Sequence, residues 1–225
     1  MEDIKQKYEH AVIATDVVIF RAEENDLQVL LIKMKKKPFF DMWATPGGLV
    51  KGDESIDIAA KRNLFDKTGV KNVYLEQLYA FGEVDRDPFG RVVSVAYFAL
   101  LPQGIKLHLK TTEEHGDVGW FSVDGLPVLA YDHKKIIEMA LNRLRAKLAY
   151  TNIVYSLLPD EFTLTDLQKI YELILDKRQD KRNFRKKILS LKMIKKTGGK
   201  TTGGAYRPAE LYKFIKKNPE IVQIL

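Results

Sequence analysis

The stretch GGLVKGDESIDIAAKRNLFDKTGV, residues 47–70, decides how the rest of this sequence is read. Its first half is rich in glycine and charge. From Ser55 to about Thr68 the apolar residues Ile56, Ala59, Ala60 and Leu64 recur at helical spacing, and Gly69 is a helix stop. The reading is a loop that runs into one helix. The loop extends back through PFFDMWATPGGLVKGDES (38–55), which two prolines and three glycines keep irregular. Before it, AVIATDVVIF and LQVLLIKM (within 11–34) are apolar, β-branched runs separated by the polar turn RAEEND, which predicts a strand pair. After it, VYLEQLYAF (73–81) and RVVSVAYFALL (91–101) predict two more strands around the polar loop GEVDRDPFG, and a strand-like piece lies near 119–122. The segment 133–150 places Ile136, Ala140, Leu144 and Leu148 on one face, an amphipathic helix expected to close a first domain of residues 1–150.

Composition limits what such a chain can do. It has 225 residues, 45% apolar and 30% charged, enough to bury a core in one large domain or two modest ones. No apolar run approaches the roughly 18 residues of a membrane span, so no membrane partner is expected. The opening MEDIKQKYEH has no apolar stretch behind a basic start, so no secretory signal is expected either. There is no cysteine, which excludes disulfides, thiolate metal sites and cysteine nucleophiles and makes the cytoplasm the expected location. His10, His108, His115 and His133 are scattered, without HxH or HExxH spacing, and are read as structural or solvent-facing. Neither a metal site nor a cofactor is expected.

Charge is unevenly distributed. Residues 151–225 hold 16 Lys+Arg against 8 Asp+Glu, whereas residues 1–150 are near neutrality with a net of −1. A neutral domain joined to a polyanion-binding one follows. The second domain (151–225) is patterned for folding. In FTLTDLQKIYELIL, Thr163 or Thr165 serves as N-cap and Leu164, Leu167, Ile170, Tyr171 and Ile174 form the buried stripe. DKRNFRKKILSLK predicts a second helix in which Phe184 and Ile188 face inward. Arg182, Arg185 and Lys186 are read on its opposite face, with Lys181 and Asn183 beside them and Leu189 as an apolar intruder. Two Gly-Gly pairs flank KTT (200–202), which suits a hairpin tip, with Pro208 at an edge. Helix, turn, helix and hairpin are the order of a winged helix. Its wing would bring Lys195, Lys196, Lys200, Thr201, Thr202 and Arg207 to a duplex, while arginines on the second helix read guanine edges. An RNA partner is less well supported: there is no stacking platform, and Tyr206, Tyr212 and Phe214 look like hairpin packing.

The loop and helix of residues 47–70 resemble the Nudix box. That pattern runs Gly, five residues, Glu, seven residues, then Arg-Glu-aliphatic-x-Glu-Glu-x-Gly-aliphatic. Gly48, Glu54, Arg62, Leu64, Gly69 and Val70 match at full spacing, and WATPGG (43–48) resembles the approach loop. The resemblance implies a Nudix-like α/β sandwich. In active Nudix hydrolases the glutamates of that helix converge on magnesium or manganese against a pyrophosphate. Here the matching positions hold Asn63, Asp66 and Lys67, and with Glu54 the four sum to −1 where four glutamates would give −4. A lysine about 4 Å from a cation opposes it by about 4 kcal/mol per unit charge at an effective dielectric of 20. Lys67 could still swing into solvent. With two carboxylates missing, metal-dependent hydrolysis is not expected, and a pocket that only binds a small molecule is. Candidate pocket residues are Lys33, Phe39, Phe40, Trp43, Glu54 and the polar set Glu83, Asp85, Arg86 and Asp87, which together offer hydrogen-bond partners and aromatic faces. Taken singly, Phe39 and Phe40 suit a core equally well, and Asp85–Asp87 a capped turn.

The two domains together resemble the Nudix-related transcriptional regulators of the NrtR family. The likeness includes DVVIF (16–20), DRDPFGRVVSVAY (85–97), LLPDEFTLTDLQKIYE (157–172), DKRNFRKKI (180–188) and RPAELYKF (207–214). Arginine often follows the proline of DRDP in that family; here it is Phe89. The resemblance implies a homodimeric repressor on a palindromic operator, released by a small effector through the helix at 134–150. Some relatives sense ADP-ribose and control NAD metabolism, and others, including an L-arabinose branch, control sugar catabolism. The lost carboxylates favour a neutral pentose such as L-arabinose, with ADP-ribose as first alternative and a metal-dependent Nudix hydrolase as the enzymatic rival.

Overall fold

Seven consecutive buried residues, Ala14–Phe20, make β1 (Val12–Glu23) the strand around which the first domain is built. The coordinates are a computed structural model and describe residues 10–105, 115–202, 208–222 and 224. β1 pairs antiparallel with β2 (Asp26–Met34) on one side and parallel with β6 (Val92–Leu101) on the other. β3 (Trp43–Ala44) and β7 (His115–Ser122) pair with β2, β4 (Gly47–Leu49) pairs with the start of β1, and β5 (Tyr74–Phe81) is the edge beyond β6. A strand covered on both faces reads as a continuous apolar run, because alternate side chains enter two different cores. Val17 and Ile19 meet α1 (Ile56–Thr68) through Ala60 and Leu64. Val18 and Phe20 meet α2 (His133–Tyr150) through Ile136, Ile137, Ala140, Leu144 and Leu148.

The elements differ from the sequence reading in instructive places. The RAEEND turn contracts to two residues. Glu24 and Asn25 both have positive φ (53° and 60°), and Glu23 pairs with Asp26, so the strands run on to a tight hairpin whose twist matches their own. The loop at 38–55 contains the two short strands β3 and β4, formed because β2 and β1 offer free backbone partners there. Helix α1 is as expected: Ser55 Oγ accepts from Ile58 N–H, and Gly69 closes the helix with φ 70°.

The second domain follows α2 without a linker. A 3-10 turn (Ile153–Ser156) leads into α3 (Leu164–Leu175), which Thr163 and Asp166 begin with a capping box, and α4 (Lys181–Ser190), capped by Asp180. The wing is β8 (Ile194–Lys200) with β9 (Glu210–Phe214). Gly198 and Gly199 lie inside β8, at a register shift between Lys196 and Lys200 where Gly198 takes φ 86°. They therefore bend the strand and are not at the hairpin tip. The second Gly-Gly pair lies outside the described residues.

One hydrophobic cluster runs from Phe20, Phe98 and Leu144 into Leu157, Phe162, Leu167 and Ile170, so the two domains share a core. Arg145 Nε donates to the Ile174 carbonyl at 2.8 Å. The segment after β9 returns to the junction: Val222 N–H donates to Tyr150 O, and buried Asn152 exchanges hydrogen bonds with Asn218 and Glu220. Among the described residues no helix is long and apolar enough to cross a membrane.

Candidate functional site

The box helix comes first because its carboxylates decide what chemistry is available. Glu54 is held by Arg62, with Nη2 at 2.6 Å and Nε at 3.0 Å, and also accepts from Lys51 N–H. The Arg62 hydrogen bonds push the Glu54 carboxyl down to about 2. Asn63 is 5% exposed and donates to Thr15 Oγ1 at 2.7 Å, latching α1 to β1. Lys67 is also 5% exposed, so it does not swing into solvent; it stays on the buried face, one helical turn from Asn63. Asp66 faces solvent. This donor set does not fit a magnesium or manganese ion: one carboxylate is committed to an arginine, one faces away, and an amide and a lysine occupy the inner positions.

The more enclosed of two adjoining spaces lies elsewhere. A cavity of about 660 Å³ opens between β1, β2, β4 and the loop 86–92, and no α1 residue lines it. Its walls are apolar, with Phe39 and Tyr131 rings 4.1 Å apart, and Lys36, Lys37 and Arg91 also line it. Its floor is a buried polar network. Arg86 grips Asp132 with Nη2 at 2.7 Å and Nε at 3.1 Å, and reaches Asp16 at 3.4 Å. Ser94 Oγ donates to the same Asp16 oxygen at 2.6 Å. Burial works against the Arg86 charge, but the Asp132 hydrogen bond and the Asp16 charge outweigh it and raise its pKa. Gly47 is required beside this floor, since a Cβ there would lie 2.3 Å from Asp16 Oδ1 and 2.7 Å from the Thr15 carbonyl.

His133 completes the floor. Thr45 N–H donates to its Nδ1 at 3.0 Å, so the ring proton sits on Nε2, 3.5 Å from Asp16. Burial lowers its pKa below the ordinary 6.5, and the charges of Asp16 and Asp132 do not offset this. The folded state therefore keeps a neutral ring where the unfolded chain takes up a proton. The stability from this site is complete above pH 6.5 and declines below it, with a slope approaching about 1.4 kcal/mol per pH unit. Thermal unfolding followed from pH 7.5 to 5 should fall less steeply for His133→Gln than for the parent. Parallel curves would show that His133 is not held neutral.

The predicted pocket residues divide in two. Phe39, Glu83, Asp85, Arg86 and Asp87 do come together, Glu83 and Asp85 in an adjoining hollow that shares Phe39, Arg86 and Tyr131. Lys33, Phe40, Trp43 and Glu54 do not line either space. Ile32 and Met34 face the cavity, so strand alternation turns Lys33 to the other face, where it pairs with Asp41 at 2.6 Å. Ala44 likewise lines the cavity, while Trp43 packs on Phe121 at 4.5 Å. Phe40 is 63% exposed, and Glu54 is committed to Arg62. Asp87 also caps its own turn by accepting from Phe89 N–H. Sequence reading missed Asp16, Thr45, Asp132 and His133. The available signal was Asp16, a lone charge inside an otherwise apolar strand.

In the second domain Lys181, Arg182, Asn183 and Lys186 are exposed along α4. Arg185 lies on the flank of the helix, half-buried, with Nη2 donating to Thr165 Oγ1 at 3.0 Å. Lys195, Lys196, Lys200 and Thr202 on the wing are all exposed, and Lys196 and Lys200 also pair with Glu210 at 3.2 and 3.8 Å. The Thr201 hydroxyl accepts from Ala209 N–H and so braces the wing. Arg207 lies outside the described residues.

These elements define a Nudix domain followed by a DNA-binding winged helix. Comparison with known proteins agrees, matching the NUDIX domain over residues 11–140 and the NrtR DNA-binding winged helix domain over residues 154–214. The chain belongs to the NrtR family of DNA-binding transcriptional regulators. It is 36% identical over 214 residues to the ADPR responsive transcriptional repressor NtrR of Acinetobacter baylyi, covering 93% of this chain and 84% of that protein. Shewanella oneidensis NrtR complexed with a 27mer DNA superposes with a TM-score of 0.77 at 32% identity, over 90% of this chain and 93% of that one. The NUDIX domain of the same Shewanella protein, complexed with ADP ribose, gives a TM-score of 0.56 at 31% identity, over 64% of this chain and 94% of that one.

Proposed function

We propose that the chain is a repressor whose Nudix domain (1–150) binds ADP-ribose without a divalent metal and without hydrolysing it, and whose winged helix (151–225) reads a palindromic operator as a homodimer. The observation that carries this is the separation of the two features: Glu54 is tied to Arg62 and Asp66 faces solvent, while a cavity of about 660 Å³ opens on the other side of the loop, lined by neither. That volume suits a ligand of nucleotide size and is far more than a single pentose fills. The relatives named for ADP-ribose support the same choice over L-arabinose.

The pocket is mechanically placed to act on DNA binding. Asp132 is the N-cap residue of α2, yet its side chain makes no cap hydrogen bond and goes to Arg86 on the pocket floor. The helix that starts there runs 18 residues, about 27 Å at 1.5 Å per residue, into the winged helix. A ligand that competes for Arg86 would free Asp132 and change how α2 is seated, which alters the spacing of two reading helices in a dimer. On the DNA side we assign Arg182 and Lys186 to the face that meets the duplex, with Lys181 and Asn183 beside them and Lys195 and Thr202 on the wing.

Thermal unfolding with ADP-ribose tests this reading. A ligand at 100 times its dissociation constant adds about 2.7 kcal/mol, a shift of roughly 5–10 °C for a chain of this size. The shift should be equal with magnesium or with EDTA, absent with L-arabinose, and accompanied by release of bound operator. Magnesium-dependent breakdown of ADP-ribose that Glu54→Gln abolishes would restore the hydrolase reading instead.

A further inference from the structure

We infer that Thr165 is a positioning residue for sequence reading: its hydroxyl holds the Arg185 guanidinium so that only the Nη1/Nη2 end is offered to a base. This rests on the assignment of α4 as the groove-reading helix. Thr165 is exposed on the first turn of α3, and its side chain does not cap that helix, a task Thr163 performs. Thr165 Oγ1 instead accepts from Arg185 Nη2 at 3.0 Å. The Arg185 Nε is buried and has no hydrogen-bond partner among the described residues. That burial fixes the stem of the side chain and removes Nε from any contact with DNA. The remaining freedom is rotation of the guanidinium, and the Thr165 hydroxyl closes it. Arginine reads guanine through two parallel donors, and a pre-oriented fork loses less freedom on binding than a free one. Among the described residues Arg182 and Lys186 have no such anchor, and as exposed charges they suit phosphate. The two helices thereby divide the work: α4 supplies the fork and α3 aims it.

The test begins by enriching duplexes from a random pool with the parent protein, then measuring affinity for the enriched site and its single-base variants over a salt series. Thr165→Val keeps the shape and removes the hydroxyl. It should lower discrimination at one base pair per half-site by on the order of 5- to 100-fold while leaving the salt slope unchanged. Thr165→Ser should restore it. Arg185→Ala should lose discrimination at the same base pair, and the double variant should lose no more than Arg185→Ala alone. Nitrogen relaxation of the Arg185 Nε–H in the free protein gives a reading that needs no DNA: rigid in the parent and in Thr165→Ser, and mobile in Thr165→Val. Discrimination unchanged in Thr165→Val, with a rigid Arg185, overturns the inference and leaves the regulator reading standing. A uniform loss of affinity with the salt slope reduced by about one would make Thr165 a phosphate contact and also overturn it. A parent that enriches no duplex overturns both.

Discussion

Replacing Arg86 by methionine is expected to destabilise the protein by about 3–5 kcal/mol, the range for removing one partner of a buried ion pair. The guanidinium lies between Asp16 and Asp132, with all three side chains close to fully buried. Removing it leaves two carboxylates facing a low-dielectric floor, with Ser94 and a neutral His133 beside Asp16. Transfer of such charges from water is the dominant cost, and a methionine of similar length adds little cavity to it. For a domain of this size the loss corresponds to a fall in melting temperature of roughly 6–20 °C. Neutralising both acids as well, in Arg86→Met with Asp16→Asn and Asp132→Asn, should recover much of it, because the penalty comes from uncompensated charge and not from lost packing. A fall of under 2 °C in the single variant would mean that water reaches these groups and that the floor is not the closed network described. The ADP-ribose shift should vanish in the triple variant even where stability is regained, since ligand competition for Arg86 is then gone.

The double charge reversal Arg182→Glu, Lys186→Glu should leave folding within about 0.5 kcal/mol of the parent, as both side chains are exposed. Its effect on DNA should be large. Each phosphate neutralised contributes a salt slope of about −0.9, so losing two contacts at 0.1 M salt lowers affinity about 60-fold. Repulsion from two new carboxylates carries the loss to on the order of 100-fold or more, and the slope should become shallower by about 1.8. Fluorescence anisotropy on an enriched duplex over a salt series reads both quantities. Parental affinity in this variant would place the duplex on a different face of the winged helix. The wing is a weaker target for such a test. Lys196 and Lys200 already share Glu210, so removing either changes an internal pair as well as a proposed DNA contact.

Much of this protein was present in the sequence as local pattern. The spacing of Gly48, Glu54, Arg62, Leu64 and Gly69 marked the Nudix helix, because an apolar helical repeat and a glycine stop are properties of neighbours in the chain. The loss of negative charge from the box at Asn63 and Lys67 was legible as well, since a charge count needs only the sequence. The excess of basic residues after position 150 and the capped helices at 164–175 and 181–190 were equally legible.

The tertiary structure decided the rest. Asp16, Ser94, Arg86 and Asp132 are joined by bonds spanning 46 to 78 positions, and no periodicity connects residues that far apart. Which face of β2 meets the cavity, and so whether Ile32 or Lys33 is a pocket residue, depends on what packs on either side of the sheet. Arg185 is the same case on a helix. A helical wheel gives its angle from Phe184 but not the position of α3, whose Thr165 turns an outward-reading arginine into an aimed one. Local propensity and charge sum along the chain and can be read there. Burial, desolvation and hydrogen bonding are set by partners that only folding brings within reach.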